Sequence, residues 1–172
     1  MPKQAMIDFM QKAKNDNLYT PYESIYPLLK YIPENIKTIW ECCDFGESKI
    51  TEILKRGGYN VLSSDIIHGF DFLKDKPDFD FDMIITNPPY SLKDDFLRKC
   101  YNYNKPFALL LPLTAFEGKA RHEMYREHGI SAILFDGRAD FTGKHTNWFN
   151  TSWFCWKILE NNTHVYEKLI SP

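Results

Sequence analysis

The chain has 172 residues, 44% of them hydrophobic and 16% aromatic, which suits one packed domain and excludes wholesale disorder. A formal net charge of −2 excludes the strong positive field that phosphate-seeking proteins usually carry. The first residues lack an apolar signal core and no apolar run approaches about 18 residues, so a soluble, cytoplasmic protein without membrane contact is expected.

In chain order, residues 4–14 space Met6, Phe9, Met10 and Ala13 for a short amphipathic helix within an N-terminal extension over residues 1–19. Thr20-Pro21 predicts the start of a second helix, with Thr as N-cap and Pro in the first turn, running to Ile32 before Pro33 stops it. Thr38-Ile39-Trp40 reads as a buried strand, followed by a turn at Phe45-Gly46 and a helix from Ser48 to Arg56 that Gly57-Gly58 ends. Strands are expected at 59–62, 82–86, 107–111 and 130–135, with helices at 92–103 and 117–127, and Thr151 to Leu159 is β-prone. Such alternation predicts one α/β domain over residues 1–172: a mostly parallel central sheet, helices on both faces, and an antiparallel C-terminal strand. Cys42, Cys43, Cys100 and Cys155 show no C-x2-C pair, and the five histidines no metal-ligand spacing, so buried thiols and no metal are expected.

Parallel doubly wound sheets bind ligands outside the carboxyl ends of their strands, so residues just after each strand carry the functional signal. After the first strand come Glu41, Asp44 and Gly46. The glycine allows close backbone approach, and two acids there repel phosphate but suit a ligand with a cationic amino group. Asp65, followed by Ile66, ends the second strand, where a carboxylate accepts ribose hydroxyls or caps the next turn. Asp71-Phe72 offers a carboxylate for an adenine amino group and a ring for the base.

The strongest signal follows the strand at 82–86: Asn87-Pro88-Pro89-Tyr90. Two prolines end the ladder and stiffen the backbone, making the Asn carboxamide and the Pro88 carbonyl rigid acceptors. Two fixed acceptors orient an NH2 group, and Tyr90 adds a face for stacking on a base.

The segment Asp82 to Tyr90 resembles the catalytic motif of class I amino-methyltransferases, which modify adenine N6, cytosine N4 or glutamine amides. The resemblance runs from about Thr20 to Trp156, and its motif order is that of adenine methyltransferases, similar to small phage-encoded ones. It implies a single Rossmann-like methyltransferase domain, S-adenosylmethionine as cofactor, and the cytoplasm, including that of a phage-infected host cell. Thr20-Pro21 resembles the motif beside the methionine end of the cofactor, and Glu41 through Ser48 the acid-and-glycine loop. Asp65 with Ile66 matches the ribose-binding position, Asp71-Phe72 the adenine-binding pair, Asn87 the catalytic position next to the cofactor, and Phe141 the later aromatic that sandwiches the target base.

Ser48 stands where the family has its second glycine, and one residue is inserted, so either Glu41 or Asp44 bears the cofactor's amino group; Glu41 is favoured because it directly ends the strand. No separate target-recognition domain fits, which leaves recognition to the loop from Asp136 to Asn150 or to a partner, either another subunit or a second copy. In that region Arg138 and Lys144 are candidate phosphate contacts and Trp148 a candidate substrate contact, although acids and bases from 117 to 149 balance, five against five. Methylation of adenine N6 in DNA is therefore the leading reading. Structured RNA, a protein glutamine, and a non-catalytic cofactor-binding subunit are the alternatives.

Overall fold

The computed structural model describes residues 20–46, 48–141 and 149–170; the helix expected over 4–14, Lys144 and Trp148 lie outside them. Among the described residues seven strands form one mixed sheet: β1 (Thr38–Glu41), β2 (Asn60–Ser63), β3 (Met83–Thr86), β4 (Phe107–Pro112), β5 (Ser131–Phe135), β6 (Thr151–Trp156) and β7 (His164–Glu167), in the order β2-β1-β3-β4-β6-β5-β7. β1, β2, β3 and β4 run parallel, whereas β6 lies antiparallel to both β4 and β5. The antiparallel strand is thus not the last one. β7 follows it and pairs parallel to β5 at the sheet edge. Its pattern, exposed at His164 and Tyr166 and half-buried between them, has too little apolar content to read as a strand in sequence.

Alternation along the strands sends side chains to two cores. Ile39, Met83, Ile85, Ala108, Leu110 and Trp153 face α1 (Tyr22–Leu29) and α2 (Lys49–Arg56). Trp40, Ile84, Phe107, Leu109, Leu111 and Phe154 face the other way, onto α3 (Lys93–Tyr103) and α4 (Lys119–His128). All four cysteines are free thiols, three of them buried. No described helix is long and apolar enough to cross a membrane.

α1 departs from expectation at both ends. Thr20 does not cap it: Pro21 occupies the N-cap position and no side chain among the described residues caps the helix. The helix also stops at Leu29 rather than running to Ile32. Pro27 lies inside it and has no N–H for the carbonyl of Glu23; the Ile170 N–H takes that carbonyl instead, at 3.3 Å. Trp153 Nε1 donates to the Ser24 carbonyl (2.6 Å) and the Asp140 N–H to Glu23 Oε1 (2.9 Å), so α1 is clamped to the sheet and to the loop after β5.

The chain leaves β1 for β2 on one side and returns to β3 on the other. Strand order therefore reverses at β1 and β3, which opens a crevice beyond Glu41 and Thr86.

Candidate active site

The ends of β1 and β3 are joined through Glu41, which is 2% exposed. Its Oε1 accepts from the Cys43 N–H (3.0 Å) and the Thr86 hydroxyl, and its Oε2 from the Ser48 hydroxyl (3.0 Å). Burial pushes its carboxyl up from 4.5 to about 7, against the pull of those hydrogen bonds, and the nearby Asp44 charge adds to the rise. Asp44 is different. Gly46 N (2.8 Å) and Ser48 N (3.2 Å) donate to its Oδ1, and Thr51 Oγ1 (2.5 Å) and Ser63 Oγ (2.8 Å) to its Oδ2. Burial raises its pKa, but these four donors outweigh it and hold the carboxyl below its usual range. A carboxylate has about four acceptor positions, so Asp44 is saturated as a staple of the loop while Glu41 keeps one position open among the described residues.

Ser48, the departure from the glycine pattern, is the N-cap of α2: its hydroxyl accepts from Thr51 N and donates to Glu41. Its φ of −68° needs no glycine, whereas Gly46, at φ 103°, does.

Beside this network lies a cleft that opens to the surface. Asp65, Ile66, Asp71, Phe72 and Pro89, all named from sequence, line it. Asp65 is 3% exposed; its Oδ1 caps the following turn through Ile67 N (2.7 Å) and His68 N (3.1 Å), and its Oδ2 meets the His68 ring. Asp71 likewise closes a turn, through Leu73 N (3.0 Å), and pairs with Lys74 (2.9 Å). Phe72 stacks on Phe96, centroids 4.8 Å apart. Cys42, Cys43, Phe45 and Phe70 complete one wall, and Leu92 with Phe96 another. Sequence reasoning gave no ligand contact to Cys42, Cys43, Phe45, Leu92 or Phe96, although Leu92 and Phe96 are spaced to share a helix face where α3 begins. Glu41 itself does not line the cleft; it lies beneath, at the strand end from which Cys42 and Cys43 continue.

Asn87 follows β3 directly. Its Nδ2 donates to Thr20 Oγ1 at 3.1 Å, although 67 residues separate the two. Its Oδ1 is buried and has no hydrogen-bond partner among the described residues. Pro88 is buried, Pro89 reaches the cleft wall, and Lys93 Nζ donates to the Tyr90 carbonyl (3.1 Å), fixing the backbone where the motif turns into α3. Tyr90 meets Phe149 edge-on, at 5.7 Å and 87°. Phe141 packs on Phe149 from behind (6.1 Å) and is itself core, 7% exposed, so Phe149 and not Phe141 is the ring against Tyr90. Arg138 Nε donates to Asn150 Oδ1 (3.0 Å), which places it at the base of the loop from 136 to 150.

No group of His, Cys, Asp or Glu among the described residues is arranged to hold a metal. No protein-family model matches this chain. No curated protein matches it either.

Proposed function

We propose that this chain is an S-adenosylmethionine-dependent methyltransferase acting on an exocyclic amino nitrogen, with N6 of adenine in DNA as the leading acceptor. The observation that carries this reading is the buried Oδ1 of Asn87, an acceptor without a donor among the described residues, at the carboxyl end of β3. A buried acceptor costs about 1–3 kcal/mol when unpaired, and an incoming NH2 group would relieve that cost. The resemblance of Asn87-Pro88-Pro89-Tyr90 to the amino-methyltransferase motif and the crevice at the reversal of strand order support the same site. The sheet, with an antiparallel strand between β4 and β5, is consistent with a Rossmann-like methyltransferase domain.

The residues present fit the cofactor. Asp65 and Asp71 would accept from its ribose and adenine, the apolar lining at Ile66 and Phe70 would hold the base, and Glu41, beneath the cleft with one acceptor position open among the described residues, would take its ammonium at the crevice beyond β1 and β3. When bound, S-adenosylmethionine supplies a methyl group already activated by a sulfonium. The protein's part is alignment. Asn87 Oδ1 and the Pro88 carbonyl accept the two hydrogens of the target NH2 and turn its lone pair outward. Both bonds strengthen as positive charge develops on nitrogen, so they favour the transition state over the ground state. Tyr90, braced by Phe149, stacks on the base, which must leave its duplex to reach this depth; stacking contributes about 1–3 kcal/mol.

Incubation with tritiated S-adenosylmethionine and separate DNA, RNA and protein pools, followed by nucleoside analysis, tests this reading. Label in N6-methyladenine from DNA is expected. Label in RNA or in glutamine would move the substrate class, and label in none of them would sink the activity.

A further inference from the structure

Thr20 is a buried residue whose hydroxyl does not do what threonine before a helix ordinarily does. It leaves the N-terminus of α1 without a side-chain cap and accepts a hydrogen bond from Asn87 Nδ2 at 3.1 Å. A carboxamide has two ends of nearly equal size, and only one of them can accept from an NH2 donor. Flipped, the carboxamide would accept from the Thr20 hydroxyl and bury an NH2 with both hydrogens unpaired; in the observed rotation Nδ2 is held by Thr20, and Oδ1 is the buried atom without a partner among the described residues. Thr20 is brought to this place because the first turn of α1, which follows it directly, is pinned: Trp153 to the Ser24 carbonyl, Asp140 to the Glu23 side chain, and Ile170 to the Glu23 carbonyl that Pro27 leaves without a donor.

We infer that Thr20 is the positioning residue that sets the rotation of the Asn87 carboxamide, presenting Oδ1 rather than Nδ2 to the acceptor amine. This deepens the methyltransferase reading and rests on it for the amine. The contact between Thr20 and Asn87 can be judged without that reading. Loss of the hydroxyl lets the amide flip, so a fraction of molecules offers an NH2 to an NH2 and cannot bind the acceptor productively.

The test compares Thr20→Val with Thr20→Ser in the full chain. Side-chain amide resonances of 15N-labelled protein are recorded first, with the Asn87 pair assigned from its disappearance in Asn87→Asp. Thr20→Val should speed solvent exchange of the Asn87 NH2 protons about tenfold or more, and Thr20→Ser should leave it within twofold. With genomic DNA as acceptor, Thr20→Val should lower kcat about tenfold and leave the dissociation constant for S-adenosylmethionine within twofold, while Thr20→Ser restores kcat. In the Asn87→Ala background, Thr20→Val should have no further effect on kcat. Unchanged amide exchange in Thr20→Val overturns the proposal, as does a loss confined to cofactor affinity or a Thr20→Ser variant as slow as Thr20→Val. If wild type transfers no methyl but the amide exchange responds as expected, the methyltransferase reading fails and the positioning contact stands.

Discussion

Above pH 7 Glu41 carries a negative charge in a place that disfavours it, since burial has pushed its carboxyl from 4.5 to about 7. A carboxyl raised on folding contributes no penalty below its unfolded value, where both states are neutral. The penalty grows as pH rises from 4.5 and is complete above about 7, on the order of 3 kcal/mol. Glu41→Gln should therefore be more stable than wild type at pH 8, with the two converging near pH 4.5, as chemical denaturation across that range would show. Gln keeps an oxygen for Cys43 and Thr86 and offers its NH2 to the Ser48 hydroxyl, so the network survives the change. Function should move the other way. A cationic ligand binds the charged carboxylate, so wild-type affinity for S-adenosylmethionine should fall up to tenfold per pH unit below about 7 and level off above it until the ligand's own ammonium loses its proton. Calorimetry should find Glu41→Gln weak at every pH; equal affinity in that variant would remove Glu41 from the ligand site.

The loop between β1 and α2 shows what a change in one element's chemistry does to a motif. Ser48 in place of a glycine looks in sequence like damage to a cofactor loop. In the fold it caps α2 and donates to Glu41. Ser48→Ala should cost about 1–2 kcal/mol in denaturant unfolding, from the lost cap and an acceptor left short of a donor. A variant as stable as wild type would show the cap to be dispensable. Local chemistry was legible where it depended on neighbours in the chain: the strand ends, the turn at Gly46, the acids at Asp65 and Asp71. It was not legible where a distant group competed for the same atom. Thr20 has the sequence of an N-cap, and only its meeting with Asn87 across 67 residues diverts the hydroxyl. Phe141 and Phe149 are likewise two aromatics in one loop, and packing alone decides that Phe149 faces Tyr90 and Phe141 the core.

For the whole molecule, alternation of strands and helices forecast an α/β sheet covered on both faces, because each strand's apolar run reports burial on two sides. Strand order is a different matter. The insertion of β6 between β4 and β5 is settled by antiparallel pairing across the sheet, as of Leu110 with Trp153, and no local pattern encodes it. Net charge also acts at this scale. At −2 the chain has little long-range attraction for phosphate, so any hold on DNA depends on a few local contacts such as Arg138. Plotted as log affinity against log salt, binding to duplex DNA should give a slope between about −1 and −3, near 0.9 for each phosphate engaged. A flat line would count against nucleic acid, and a slope near −6 would mean a basic surface that the balanced charge does not provide.

Asn87 is where the proposed activity stands or falls, and single-turnover transfer of a tritiated methyl to adenine in DNA by Asn87→Ala tests it most directly. Removing one transition-state acceptor should slow the step by about 10²–10³, or 2–4 kcal/mol, with the dissociation constant for S-adenosylmethionine unchanged. Transfer by Asn87→Ala at the wild-type rate would contradict the account.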